Sequence, residues 1–101
     1  KGLVWVEVVR ELGGFWIAVT PGTGQSLAKD IITHGVWAPT ETLLMHLLMS
    51  EHCRKEDSLS TAKVVVDVGA NLGWFTLLAR AAGCRVVAFE PQLAEVDARA
   101  A

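Results

Sequence analysis

The sequence predicts an α/β fold in which a β-hairpin and a leading helix precede one β-α-β unit. Three observations carry the prediction. The apolar run Val64-Val65-Val66-Asp67-Val68 stops at Gly69, and a stretch without proline, Leu72 to Ala82, follows. A second apolar run, Arg85 to Glu90, comes next and is ended by Pro91. Strand, helix, strand in that order is the signature of parallel pairing. Neither run alternates cleanly, which suits strands covered on both faces. Third, Leu3 to Val9 does alternate, with Trp5 and Glu7 on one side and Val4, Val6 and Val8 on the other. That pattern suits a strand with one buried face.

The remaining elements are read in order. Gly13-Gly14 turns the chain and Phe15 to Val19 returns it as the second hairpin strand. Pro21 to Gly24 is a loop. Ser26 to Thr33 reads as a short helix or an irregular segment, and His34 to Pro39 as a connector. Thr40 is placed to cap a helix running to about His52, in which Leu43, Leu44, Leu47 and Leu48 share one face. The polar run Arg54 to Thr61 is the best internal boundary. It divides a hairpin-and-helix part, residues 1–61, from the β-α-β part, residues 62–101. Trp74, Phe75 and Leu78 are expected in the core, and Trp5, Trp16 and Trp37 as packing residues.

Composition narrows the function classes. The chain has 101 residues, of which 51% are apolar, enough for one small domain with a core. The net charge is −2, and Lys and Arg form no stripe, so a nucleic-acid partner is not expected. No apolar run approaches the ~20 residues of a membrane span. The two cysteines, Cys53 and Cys84, lie in no C-x-x-C motif and read as reduced thiols, so a cytoplasmic location is expected. His46, His52 and Cys53 lack the i, i+4 spacing of paired metal ligands, and no metal is assigned. The chain opens on Lys1, so nothing about a targeting leader follows from its first residues.

The chemistry concentrates after the first run of the β-α-β unit. A glycine turn between strand and helix lets a ligand approach the main chain and is expected to aim backbone N–H groups into the crevice. Gly24-Gln25-Ser26 is not a phosphate loop, because the lysine is absent. A dinucleotide fingerprint beginning at Gly69 would need glycine at Asn71 and Trp74. What stands instead is Asp67-x-Gly69-x-Asn71-x-Gly73, which resembles the pattern of class I S-adenosylmethionine methyltransferases with Asn at the middle glycine. Glu90, at the end of the next strand, is placed to accept hydrogen bonds from ribose hydroxyls.

The full string is more specific. Asp67-Val68-Gly69-Ala70-Asn71-Leu72-Gly73-Trp74-Phe75-Thr76, followed by Ala88-Phe89-Glu90-Pro91, resembles the FkbM family of methyltransferases. The resemblance covers about a third of the chain. Gly35-Val36-Trp37-Ala38-Pro39 is similar to the element that precedes the family's leading helix, with Ala38 where the family carries glutamate. The resemblance implies a Rossmann-like class I methyltransferase fold, of which this chain holds the first β-α-β unit only. It implies S-adenosyl-L-methionine as cofactor, held by Asp67, Gly69, Ala70, Asn71, Gly73, Phe75, Thr76, Glu90 and Pro91. It also implies methyl transfer, usually to oxygen, on a small-molecule or glycan hydroxyl acceptor. No catalytic base can be assigned. Further strands of such a fold are missing, so the chain reads as a fragment that binds donor without completing catalysis. The alternatives are a non-catalytic remnant or interaction module, and another nucleotide-binding Rossmann-like protein.

Overall fold

A computed structural model describes residues 2–21, 26–53 and 63–91. Its element order is β1 (Val4–Val8), a 3-10 turn (Arg10–Leu12), β2 (Phe15–Val19), α1 (Ser26–His34), α2 (Pro39–His52), β3 (Val64–Val68), α3 (Trp74–Ala81) and β4 (Arg85–Phe89). This is a small mixed α/β chain with two two-stranded sheets, β1-β2 antiparallel and β3-β4 parallel. The linker at 54–61 and the segment after Pro91 lie outside the described residues.

The hairpin follows its sequence pattern. Val8 is buried, Val4 and Val6 are half-buried, and Trp5 and Glu7 face solvent. Its register pairs Trp5 with Ala18 and Glu7 with Trp16. Cross-strand partners share a face, so Trp16 is turned outward with Glu7, and Trp5 and Trp16 are both more than half exposed. They are not packing residues as expected. The alternation that buries Val8 turns them away from the core.

The turn at Gly13 abuts α3. Gly13 has φ +109, and a Cβ built there would stand 2.7 Å from the Ala81 Cβ. Both the backbone angle and the space require glycine. Gly13→Ala is expected to destabilise the chain by about 2–3 kcal/mol in urea unfolding, the sum of left-handed strain and overpacking.

Two cores form. The first joins Val8, Ile17, Val19, Leu27, Ala28 and Ile31 of the hairpin and α1 to Leu72 and Trp74. The second joins Met49 and Cys53 to Leu78, Ala79, Ala82 and Cys84. Each core therefore draws on residues from both sides of the 54–62 stretch. The helix α3 is the shared element, with Trp74 in the first core and Leu78 and Ala79 in the second. The ring of Phe15 meets Trp74 edge-on at 5.7 Å, and Trp37 meets Phe75 in the same way at 5.7 Å.

Three expectations about the helices and sheet are corrected. The leucine face of α2 points outward: Leu43, Leu44, Leu47 and Leu48 are each 43–57% exposed. The helix is seated instead through Thr42 and Met49, with Met45 and His46 half-buried. It is not capped by Thr40. Ala38, at φ 47, is the cap residue, makes no side-chain bond, and is followed by Pro39 in the first turn. Proline is preorganised for that place. Among the described residues, the β3-β4 sheet is covered on one face only. The register sets Val66 beside Val87 and Val68 beside Phe89, and these four side chains are exposed, while Val65 and Val86 pack beneath α3.

The cysteines are also corrected. Cys53, at the end of α2, and Cys84, before β4, form a disulfide across a separation of 31 residues. The return of the chain after α3 brings them together, so no local spacing could announce the pair. The thiol reading that supported a cytoplasmic location therefore falls, since disulfides persist chiefly in oxidising compartments. Among the described residues, no helix is long and apolar enough to cross a membrane.

Candidate functional site

The candidate site lies at the carboxyl ends of β3 and β4, where the chain leaves β3 and enters α3. Gly69 has φ 73, Asn71 φ 57 and Gly73 φ 93. The turn therefore takes the left-handed region at alternate residues. Asn is among the few residues with a side chain that visits that region at modest cost, which explains how Asn71 occupies a position where glycine is the usual choice. A Cβ added at Gly69 would meet nothing within 4 Å. The side of the turn where that Cβ would project is thus open to a ligand.

The hydrogen bonds of the turn correct one expectation. Gly69 N–H and Ala70 N–H both donate to the Phe89 carbonyl, at 2.8 and 3.0 Å. Asn71 N–H donates to Glu90 Oε1 at 2.5 Å. Gly73 N–H donates to the Ala70 carbonyl at 2.9 Å. These four donors are spent on closing the turn and fastening it to β4. They are not aimed into the crevice, because the parallel neighbour offers acceptors at the right height.

The acceptors are placed differently. Asp67, half-buried on β3, accepts from the Thr76 hydroxyl through Oδ2 at 2.6 Å. Glu90 follows β4 directly and is half-buried. A carboxylate has about four lone-pair sites, so the bond from Thr76 does not exhaust Asp67. Among the described residues, the cations of the unit stand elsewhere. Lys63 precedes β3, Arg85 opens β4, and Arg80 sits in the last turn of α3 and donates to the Cys84 carbonyl at 2.7 Å. The result is an open turn flanked by two carboxylates, with the N–H groups of Gly69, Ala70, Asn71 and Gly73 in use.

These bonds tie Gly69, Ala70, Asn71 and Gly73 to one another and to Phe89 and Glu90 at the end of β4, and join Asp67 separately to Thr76. Phe75 lies on α3 with its ring against Trp37, so its place is explained by packing. Pro91 is exposed and ends β4. Sequence reasoning missed a support behind the turn. Trp74 Nε1 donates to Thr42 Oγ1 at 2.8 Å, and the Thr42 hydroxyl donates to the Trp37 carbonyl at 2.6 Å. Thr42 is fully buried. Its burial marks it, and burial is not visible in the sequence. Among the described residues, no three His, Cys, Asp or Glu side chains are grouped to hold a metal ion.

Comparison with known proteins adds no relative: no family model, no curated protein and no solved structure matches this chain.

Proposed function

We propose that the chain carries the donor half-site of an S-adenosyl-L-methionine-dependent methyltransferase of the FkbM type. The observation that carries this reading is the polarity of the site. The N–H groups of Gly69, Ala70, Asn71 and Gly73 are committed within the fold, and the side chains at the strand ends are acceptors, Asp67 and Glu90. Such a site suits a ligand that brings donors and positive charge. It is poorly suited to a pyrophosphate, which needs free N–H groups or a cation. S-adenosylmethionine presents an ammonium group, ribose hydroxyls and a sulfonium, and its carboxylate is the single anionic part.

The residues fit that group. Glu90, at the end of β4, would accept from the ribose hydroxyls. Asp67 would face the ammonium group while Thr76 fixes its carboxylate. The open side of Gly69 would admit the methionyl part to the main chain. The cofactor supplies an activated methyl group for in-line transfer. These residues bind and orient the donor, and orientation is a large share of the rate in such displacements. The acceptor class proposed is a hydroxyl on a small molecule or glycan, which rests on the family resemblance alone.

The runner-up is a dinucleotide or other phosphate-bearing ligand. Calorimetric titration separates the two. S-adenosylhomocysteine is expected to bind saturably and at least tenfold tighter than ADP, which shares its adenosine but replaces the amino-acid part with phosphates. ADP binding as tight as S-adenosylhomocysteine, or no heat from S-adenosylhomocysteine, would reject the proposal.

A further inference from the structure

We propose that the Cys53–Cys84 disulfide makes α2 an oxidation-dependent strap that holds the cofactor turn in place. The inference begins with how weakly α2 is otherwise seated. Of its fourteen residues only Thr42 and Met49 are buried, whereas the nine-residue α1 buries Leu27, Ala28 and Ile31. The four leucines that would normally seat such a helix face outward. What fastens α2 is found near its two ends. Thr42 bonds the Trp74 indole, and Cys53 is joined to Cys84.

The two anchors act on the same unit. Trp74 follows Gly73, the last residue of the cofactor turn, and opens α3. Cys84 opens the return into β4, whose far end leads to Glu90. The Cys84 side of the bridge is fixed independently. Its N–H donates to the Ala79 carbonyl at 3.0 Å and its carbonyl accepts from Arg80 Nη1 at 2.7 Å. Breaking the bridge therefore frees the α2 end and leaves β4 in place. Once α2 lifts, Thr42 withdraws from Trp74 and the support behind Gly73 is lost.

The redox step is ordinary thiol–disulfide exchange. A thiolate of an added dithiol attacks one sulfur, and the Sγ–Sγ bond breaks to give a mixed disulfide. The second thiolate of the dithiol closes on the first and releases the protein sulfur. Two electrons pass from the dithiol, which leaves as its cyclic disulfide, and its two protons end on Cys53 and Cys84. The bridge is buried, with Cys53 at 3% and Cys84 at 0% exposure, so exchange requires the end of α2 to open first.

The effect on binding rests on the proposed function, and the test separates the two. The full chain is compared before and after dithiothreitol by hydrogen exchange and by titration with S-adenosylhomocysteine. Reduction is expected to raise exchange of α2 amides and of the Trp74 indole at least tenfold beyond the rise at β3 and β4 amides, which follows the loss of global stability alone. Affinity for S-adenosylhomocysteine is expected to fall at least fivefold. Unchanged α2 protection after reduction, or two titratable thiols in the protein isolated without reductant, overturns the strap. Loosened α2 with an undisturbed Trp74 indole or unchanged affinity overturns its coupling to the turn. If neither form binds S-adenosylhomocysteine, the cofactor reading fails while the exchange data still decide the strap. Should reduction unfold the whole chain, Thr42→Val in the oxidised protein takes its place. It is expected to raise Trp74 indole exchange and weaken binding fivefold, and no change in either overturns the coupling.

Discussion

Replacing both cysteines, Cys53→Ala with Cys84→Ala, is expected to cost about 3–4 kcal/mol of unfolding free energy. The bridge closes a loop of 31 residues, and the chain-entropy relation gives that magnitude for such a loop. A chain of this size has on the order of 5–10 kcal/mol in total, so the loss removes a large fraction of its stability. In thermal unfolding the midpoint should fall by roughly 15–25 °C. Both sulfurs are buried among Met49, Leu78, Ala79 and Ala82, so alanine keeps the site apolar and leaves a small cavity whose cost adds to the entropic term. Equal midpoints for the double variant and the parent in the absence of reductant would show that the bridge does not constrain the chain.

The second large effect is expected at Trp74. Its side chain is 1% exposed, meets Phe15 edge-on, and donates to Thr42. Trp74→Ala should cost about 3–5 kcal/mol, the usual range for emptying a buried tryptophan site. It also leaves the Thr42 hydroxyl without its donor inside the core. Trp74→Phe divides the two contributions. It retains most of the apolar surface and removes the N–H, so a loss of about 1–2 kcal/mol is expected. Chemical denaturation of the two variants beside the parent measures both. If Trp74→Phe were as damaging as Trp74→Ala, the hydrogen bond to Thr42 would be the main contribution and the aromatic packing a minor one.

The parts of the fold legible in the sequence are those set by local periodicity and by glycine. The alternation through Val4, Val6 and Val8 reported the buried side of the hairpin, and Glu7 reported the other. It also contained the placement of Trp5, because Trp5 shares the side of Glu7. Gly69 and Gly73 announced a glycine turn, and both have positive φ, as does Asn71 between them. The illegible parts depend on long-range partners. Four leucines on α2 looked like a buried face, yet the buried face is chosen by Thr42, whose hydroxyl has a donor and an acceptor waiting on Trp74 and Trp37. The bridge from Cys53 to Cys84 depends on the α3 crossover and has no local motif. The N–H groups of the turn were expected to face a ligand, but the proximity of the Phe89 carbonyl and Glu90 to the turn redirects them.

Glu90 fastens the turn through Asn71, and in the proposed function it also accepts ribose hydroxyls. Glu90→Gln tests the two roles together most directly. Glutamine keeps the size and one carbonyl acceptor, so the bond from Asn71 can persist and the fold should change little. The charge and half of the acceptor capacity are lost. Calorimetric titration with S-adenosylhomocysteine should then show affinity reduced at least tenfold, about 1.4 kcal/mol or more, with the unfolding midpoint close to that of the parent. Binding of S-adenosylhomocysteine at parental affinity by Glu90→Gln would contradict the assignment of this turn as a methyl-donor site.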